Sequence, residues 1–445
     1  MTDSGGTVVL SRRERILKNI ANLAVRLVYR SVEVRQRPGE TATGPQLTVS
    51  NHFGGFADAL VQAYALDRVP RFIARDVIWR IPIAKQIMEF ARAIPTHKPE
   101  DKGPAGNDQM FGSTYEALGE GDLIKIFPEG ITVDDPSMAR IKTGAARIAL
   151  GARASGVEGI QIVPSGIHYD DKASLRSKVW VNVGSTLDLD TEIERYAPAG
   201  TPQDASNREA VRALTADIED RLRRSAPNYV DWEQERTLSE AAAIALRTVP
   251  DASPDVDYGD ESDLANLLSQ RSLEAKASIA TALDRYVADL DAAGINDRQM
   301  ATSYQSRKSF LGRMAWNIVV GLVLLPFALA GLVINFVPFV LLWLVGRLKV
   351  DPAVAATVKP GAAILLFSIT WGVAGWSLWT LSGFEGVAAV LLVMPLYLFA
   401  LFALVERGQL IWRAWRGWWS ANRRDLYDGI LDNRRAVVEA VVDAI

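Results

Sequence analysis

The chain contains no cysteine and only three histidines, His52, His97 and His168. Without cysteine there is no disulfide, no thiolate metal ligand and no thiol nucleophile, so imidazole chemistry rests on three positions. An excess of one charge is also missing. Lys and Arg number 49 against 52 Asp and Glu, and a net charge of −3 offers nothing basic to hold a nucleic acid. The first ten residues have no apolar run of signal-peptide length, so the first domain is expected in the cytoplasm. No HExxH spacing points to a metal, and no Gly-x-Ser-x-Gly elbow points to a serine hydrolase.

Residues 11 to 31 place Ile16, Leu17, Ile20, Leu23, Ala24, Leu27 and Val28 at helical spacing among six basic side chains. Such a helix suits an anionic membrane surface; the alternative is a helix packed on its own domain. From Val32 to about Leu189, β-rich runs at 46–50, 123–127, 160–164 and 179–183 alternate with helical stretches at 58–66, 76–91, 106–118 and 142–155. That alternation predicts an α/β domain with a mostly parallel sheet flanked by helices. Beyond Thr191 the pattern is helical and charged, with an acidic, Pro- and Asp-rich segment at 250–262 that reads as a linker.

Three apolar stretches follow. Residues 361–381 and 386–405 carry no charge and reach the ~20 residues a bilayer span needs. The first stretch, 315–346, is broken by Pro326, Asn335 and Pro338, and fits a re-entrant or interfacial hairpin better than a simple span. Arg307, Lys308 and Arg313 precede it, Arg347, Lys349 and Lys359 follow it, and Arg407, Arg413, Arg416, Arg423 and Arg424 follow the last stretch, while the 382–385 turn has neither Lys nor Arg. The positive-inside rule then puts every flank but that turn on the cytoplasmic side. The expected organisation is a surface helix (1–31), the α/β domain (32–235), a helical and acidic linker region (236–305), a membrane region (306–405) and a basic, Trp-rich cytoplasmic tail (406–445).

The chemistry gathers where strands end. An apolar run stops at Ser50, Asn51 and His52 follow at once, and Asp58 opens the next helix. On one continuous helix side chains six apart stand about 240° around the axis from each other and do not meet. Gly54-Gly55 permits a tight turn that returns the imidazole to the carboxylate. The pair is useful because neutral His accepts a proton near neutral pH, and a carboxylate on its other nitrogen fixes the tautomer. A turn-capping His beside a helix-start Asp is the structural alternative. A second strand stops at Phe127-Pro128-Glu129-Gly130, and a third at Val163-Pro164. In a parallel sheet these ends share one edge, where α/β proteins hold ligands. Arg75, Lys98 and Lys142 lie in the same geography as candidate phosphate contacts, and Lys142-Thr-Gly-Ala opens a helix.

Asn51-His52, Asp58, Phe127-Pro-Glu-Gly130 and Val163-Pro164 resemble the motifs of the glycerol-3-phosphate and 1-acylglycerol-3-phosphate acyltransferase superfamily over roughly residues 30 to 190. The stretch departs from that pattern twice. Five residues separate His52 from Asp58 where four are commonest, and Arg92-Ala-Ile-Pro-Thr-His-Lys98 has Arg in a Gly place and Lys in an Arg place. Leu325-Pro326, Gly331, Asn335 and Pro338 with the following spans resemble the membrane region appended to some bacterial and fungal members.

The resemblance implies the glycerolipid acyltransferase fold followed by transmembrane helices, with His52 as base and Asp58 as its partner. Acceptor binding would fall to Asn51, Arg75, Lys98, Phe127, Pro128, Glu129, Gly130 and Lys142. It implies acyl-CoA or acyl carrier protein as co-substrate with no other cofactor and no metal, glycerol 3-phosphate or lysophosphatidate as acceptor, and membrane lipids as surroundings. The expected place is the cytoplasmic face of the cell membrane, as a multi-pass protein. A phospholipid-remodelling transacylase and a catalytically inactive membrane scaffold are the alternatives.

Overall fold

The computed structural model describes residues 10–35, 44–97, 107–247 (apart from 173 and 175), 256–300 (apart from 299), 307–347, 352–420 and 427–445. The chain divides near Asp231 into two compact units.

The first unit opens with α1 (Arg12–Val28), started by a capping box in which Ser11 and Glu14 satisfy each other's backbone N–H. Ala21, Ala24, Val25 and Val28 are buried against the domain, whereas Ile16, Ile20 and Leu23 stay exposed on a neighbouring face. Small residues allow the close approach, and the larger ones face outward. The sheet has eight strands: β1 (Ser31–Arg35), β2 (Gln46–Val49), β3 (Arg71–Arg75), β4 (Ile94–Thr96), β5 (Leu123–Ile126), β6 (Gln161–Tyr169), β7 (Lys178–Val183) and β8 (Leu187–Asp188). Their order is β1-β7-β6-β2-β5-β3-β4, with β8 paired to β6. Pairing is parallel except where β6 meets β7 and β8. Around the sheet stand α2 (Phe56–Ala65), α3 (Pro82–Phe90), α4 (Asp108–Gly119), α5 (Gly144–Ala154), α6 (Leu189–Tyr196) and α7 (Arg208–Ser225).

The expected α/β class holds, with differences of detail that have physical causes. The helix predicted over 76–91 is a 3₁₀ turn (Asp76–Arg80) followed by α3, because Pro82 pushes Ile81 into an extended conformation and then serves as an N-terminal helix residue. β6 continues five residues past Pro164, beyond the level where β2 ends. β1, β3, β4 and β8 are short or charged runs that tertiary pairing makes into strands.

Arg92 takes a positive φ of 54° in the turn between α3 and β4. This is the position where the resembled motif carries Gly, the residue that adopts such a left-handed form without strain. Its guanidinium reaches Glu120 at 2.6 Å and Asp122 at 3.4 Å.

The second unit contains α8 (Trp232–Leu246), α9 (Tyr258–Ser269), α10 (Leu273–Ala293), α11 (Arg307–Ile334), α12 (Phe336–Gly346), α13 (Pro352–Ser420, kinked at Gly383) and α14 (Tyr427–Ala444). Within 236–305, expected as a helical and acidic linker region, and 406–445, expected as a tail, the described helices α8, α9, α10 and α14 form one bundle. Leu238, Ala241, Ile244, Ile279, Leu283, Tyr286, Leu290, Ile430, Val437 and Val441 give those helices apolar faces that are buried. The bundle is locked by Asp297, which accepts from Arg247 (2.5 Å), Arg434 (2.9 Å) and the Tyr286 hydroxyl (2.7 Å). Arg434 also reaches the Ile244 carbonyl at 2.7 Å, and Asn433 reaches Asp289 at 2.6 Å.

Three helical segments are long and apolar enough to cross a membrane: Leu311–Ile334, Gly361–Val390 and Leu392–Trp412. α11 runs antiparallel to the last of them: Asn317 meets Arg407 at 3.2 Å, Gly321 faces Leu404, and Gly331 abuts the Tyr397 backbone. α12 then turns back, with Phe339 against Phe402 and Phe367. At the turn Asn335 is wholly buried, donating to the Gly331 carbonyl and accepting from the Trp371 indole, both at 2.9 Å. An unpaired amide would be costly there.

Because Gly adopts positive φ freely and Ala does not, Arg92→Gly should be more stable than Arg92→Ala by about 1 kcal/mol. Paired thermal melts of the two variants measure this, and equal stability would contradict the left-handed assignment.

Candidate active site

The parallel strands β2, β5, β3 and β4 all point their C-terminal ends to one edge, and His52, Phe127, Asp76 and His97 follow them there. His52 Nδ1 lies 2.8 Å from Asp58 Oδ2, with the carboxylate fully buried and the imidazole 19% exposed. The separation of six residues is bridged by the glycines in two different ways. Gly55 has a φ of 58°, which turns the chain into α2. At Gly54 there is no room for a side chain, since a Cβ would stand 2.8 Å from Asp58 Oδ1 and 2.9 Å from the Tyr169 hydroxyl. The Gly54 N–H donates to Asp58 Oδ2 at 2.9 Å.

The loops around His52 are fixed by buried polar groups. Glu129 is 1% exposed, and its carboxylate accepts from the His52 N–H at 2.7 Å and the Ala139 N–H at 2.8 Å. Burial pushes this carboxyl up, while both N–H donors oppose the shift. The Phe127 ring stacks on the imidazole at 4.2 Å and 15°. Asn51 spends its amide on the β6 backbone, donating to the Ile167 carbonyl (2.9 Å) and accepting from its N–H (2.7 Å). The Val133 N–H donates to the His52 carbonyl at 3.1 Å.

The remaining expected positions fall out as follows. Pro128 gives its carbonyl to the Lys142 N–H at 2.8 Å. Gly130, at a φ of 66°, lies under the Lys142 ammonium, where a Cβ would come within 2.7 Å of Nζ. Lys142, Phe127, Gly130, Glu129 and Asn51 are therefore brought together with His52 and Asp58. Glu129 and Asn51, however, use both polar atoms of their side chains on backbone, so they frame the pocket edge. Arg75 ends β3 on the same sheet edge. Lys98 lies outside the described residues.

Two residues in the immediate surroundings were given no role from the sequence. Tyr169, at the far end of β6, donates from its hydroxyl to Asp58 Oδ1 at 2.6 Å. Lys125, on β5 beneath Phe127, is fully buried, and its Nζ lies 5.8 Å from the Phe127 ring centre. Burial pushes the Lys125 ammonium well below the usual lysine range, with the Asp58 charge opposing. In Lys125 the signal was present, as a lone cation in an otherwise apolar strand. For Tyr169 it was concealed by ending β6 at Pro164.

An imidazole–carboxylate pair, its carboxylate buried and its ring partly exposed, thus stands on the C-terminal edge of a mostly parallel sheet beside a Phe-Pro-Glu-Gly turn, as the resemblance implied. Residues 27–168 match the acyltransferase family model. Over that stretch the chain is similar to acyltransferases, glycerol-3-phosphate O-acyltransferases among them. It is 32% identical over 139 residues to glycerol-3-phosphate O-acyltransferase 2 of Saccharomyces cerevisiae, covering 31% of this chain and 18% of that protein. It is 30% identical over 194 residues to an uncharacterized acyltransferase of Schizosaccharomyces pombe, covering 43% of this chain and 26% of that one. The chain thus spans about a quarter or less of the length of these relatives. Among solved structures, the lysophosphatidate acyltransferase PlsC of Thermotoga maritima aligns with a TM-score of 0.35 and 20% identity, over 48% of this chain and 82% of that one.

The three histidines divide by environment. His97 pairs with Asp76 at 3.0 Å on the same edge, away from the Asp58 carboxylate. His168 is buried, donates toward the Ser225 carbonyl at 2.8 Å, and is pushed down to about 4 by burial, with that bond opposing. A histidine held neutral in the fold binds its proton more readily when unfolded, so its contribution is present above the unfolded value near 6.5 and is lost as pH falls toward 4. The loss amounts to about 3 kcal/mol when complete. Denaturant titrations from pH 7 to 4 should show that slope, and His168→Gln should flatten it; an unchanged slope would refute the neutral assignment.

Proposed function

We propose that this chain transfers a fatty acyl group from an acyl thioester to a hydroxyl of glycerol 3-phosphate or lysophosphatidate, with His52 as general base. The observation that carries the proposal is the orientation of His52. Its Nδ1 is engaged by Asp58, its Nε2 takes no hydrogen bond among the described residues, and the ring is partly exposed at the sheet edge. Nδ1–H bound to a carboxylate leaves the Nε2 lone pair as the proton acceptor.

In the reaction the acceptor oxygen attacks the thioester carbonyl carbon as its proton passes to His52 Nε2. The tetrahedral centre then collapses, the C–S bond breaks, and the departing thiolate takes the proton from Nε2. The resulting ester and thiol leave His52 as it began. Asp58 balances the imidazolium between the two steps. General-base assistance of this kind supplies about 10²- to 10⁴-fold, and positioning supplies more. Lys142 and Arg75 offer positive charge to the acceptor phosphate. Glu129 fixes the His52 backbone, and would have to release one N–H to reach an acceptor hydroxyl. The thioester is the co-substrate, and the mechanism uses no other cofactor.

Membrane lipid as the surroundings is supported by α3. Ile81, Ile87 and Phe90 are exposed on it or at its start, with Val77 nearby and Lys85 beside them. An apolar helix face with a basic border fits the interfacial layer from which a lipid substrate arrives.

Purified chain in detergent, given labelled acyl-CoA or acyl carrier protein with both acceptors side by side, tests the reading. Transfer to one of the two acceptors is expected without added phospholipid, and His52→Ala should lower it by about 10³-fold. Transfer only when phospholipid is the donor would favour the transacylase. Undiminished transfer by His52→Ala would end the proposal.

The membrane arrangement we propose is a re-entrant hairpin, α11–α12, followed by a two-span hairpin in α13 that turns at Gly383. α10 precedes the membrane helices and α14 follows them, and their packing in one bundle requires both flanks to lie on the same side. The bilayer must then be crossed an even number of times. The return of Phe339 to Phe402, after Gly331 had reached Tyr397, supports the re-entrant turn. Natural lack of cysteine makes the test direct. With a membrane-impermeant maleimide, Arg347→Cys and Arg435→Cys should label from the same side and Ser382→Cys from the other. Labelling of Arg347→Cys from the Ser382 side would exclude the re-entrant hairpin.

A further inference from the structure

The Asp58 carboxylate has two oxygens with different partners. Oδ2 serves His52 and the Gly54 N–H, whereas Oδ1 receives the Tyr169 hydroxyl at 2.6 Å. Tyr169 comes from a strand more than one hundred residues away in sequence, in the part of β6 that overhangs the end of β2. That overhang is built rather than frayed. β7 pairs with it through Tyr169, where the register is Tyr169 with Val179, and Asn51 grips Ile167 with both ends of its amide. The Tyr169 ring packs on Tyr29 at the end of α1, with centres 6.0 Å apart. Gly54 closes the remaining space, since any Cβ there would strike both Asp58 Oδ1 and the Tyr169 hydroxyl.

A carboxylate that can rotate about its Cβ–Cγ bond would present either oxygen to the imidazole and let the ring swing. A charge-assisted hydrogen bond to Oδ1 removes that freedom. It also draws off part of the carboxylate charge, which sets how strongly Asp58 holds a proton on His52. We propose that Tyr169 is a positioning residue for acyl transfer: through Oδ1 it fixes the rotation and the charge of Asp58, and thereby the orientation and basicity of His52. The proposal rests on the acyltransferase reading for its kinetic consequence, although not for its structural one.

Asp58 is faced by His52 from the β2–α2 turn, Tyr169 from β6, Tyr29 from the end of α1, Lys125 from β5 and Glu129 from the turn after β5. Burial first, then the Asp58 charge, pushes the phenols of Tyr169 and Tyr29 up, so both stay protonated and Tyr169 remains a donor across the working range. Only Tyr169 bonds Asp58 Oδ1 among the described residues. Replacing it leaves Lys125 and Glu129 where they are, and so isolates its own effect.

The test compares Tyr169→Phe, which keeps the ring and deletes the hydroxyl, with Tyr29→Phe. Loss of the donor concentrates charge on Asp58, which then holds imidazolium more firmly. The acid limb of the kcat/KM profile should therefore move to higher pH by about half a unit to one unit. The rate at the optimum should fall roughly 10- to 100-fold. Tyr29→Phe should leave the limb where it is. NMR titration of ring-labelled histidine in the full chain, simplified by three histidines, should report the same upward move of the His52 midpoint without any substrate. A midpoint that moves in a protein transferring no acyl group would sink the functional reading and keep the positioning role. A wild-type limb and midpoint in Tyr169→Phe would overturn the positioning role itself. Should that variant fail to fold, 3-fluorotyrosine at position 169 strengthens the donor in an intact fold, and the midpoint must then move to lower pH. No movement there overturns the proposal equally.

Discussion

A carboxylate withdrawn from water costs several kcal/mol unless donors surround it, and Asp58 has no exposed surface at all. The site follows from meeting that demand. Gly54 supplies an N–H because it lacks a side chain, Tyr169 supplies a hydroxyl from a strand that outruns its neighbour, and His52 supplies Nδ1–H. Each donor fixes something else in turn. The Gly54–Gly55 turn sets the start of α2, the overhang of β6 sets the wall of the site, and the bound imidazole is left with one nitrogen facing outward.

The same economy governs the surrounding loops. Buried Glu129 and Asn51 look like reactive groups in a list of polar residues, yet each spends its polar atoms on backbone. Beneath them Gln62 bonds the hydroxyls of Ser50 at 3.2 Å and Ser165 at 3.0 Å, tying α2 to the ends of β2 and β6. Fully satisfied polar contacts of this kind define one geometry, because any shift would strand a buried donor. The proposed proton transfer would need His52 held to within a fraction of an ångström of its productive position, and this network brings that rigidity from segments far apart in the chain.

In the second unit the constraint is different. Helices before and after the candidate membrane segments share one bundle, locked through buried Asp297 and Arg434, so the apolar helices are bracketed by a polar clasp. Inside the apolar region Asn335 is satisfied by Gly331 and Trp371, which lets a helix break exist where no water can serve it.

What the sequence by itself determined was whatever depends on local pattern. Alternating apolar runs declared an α/β domain, uncharged stretches of sufficient length declared helices able to cross a membrane, and His52 with Asp58, and Phe127-Pro-Glu-Gly130, marked the candidate site, since each of these signals is written within a few consecutive residues. Pro82 and the charged ends of β3 concealed true boundaries, because pairing with neighbours overrides weak local preference. Tertiary structure alone decided that Tyr169 completes Asp58, that Glu129 and Asn51 turn to backbone, that Lys125 is buried under the site, and that residues 232–246, 258–269, 273–293 and 427–444 form one bundle. Each of these joins residues distant in the chain through contacts that exist only once the sheet order and the helix packing are set, and no periodicity in the sequence encodes which strand lies beside which.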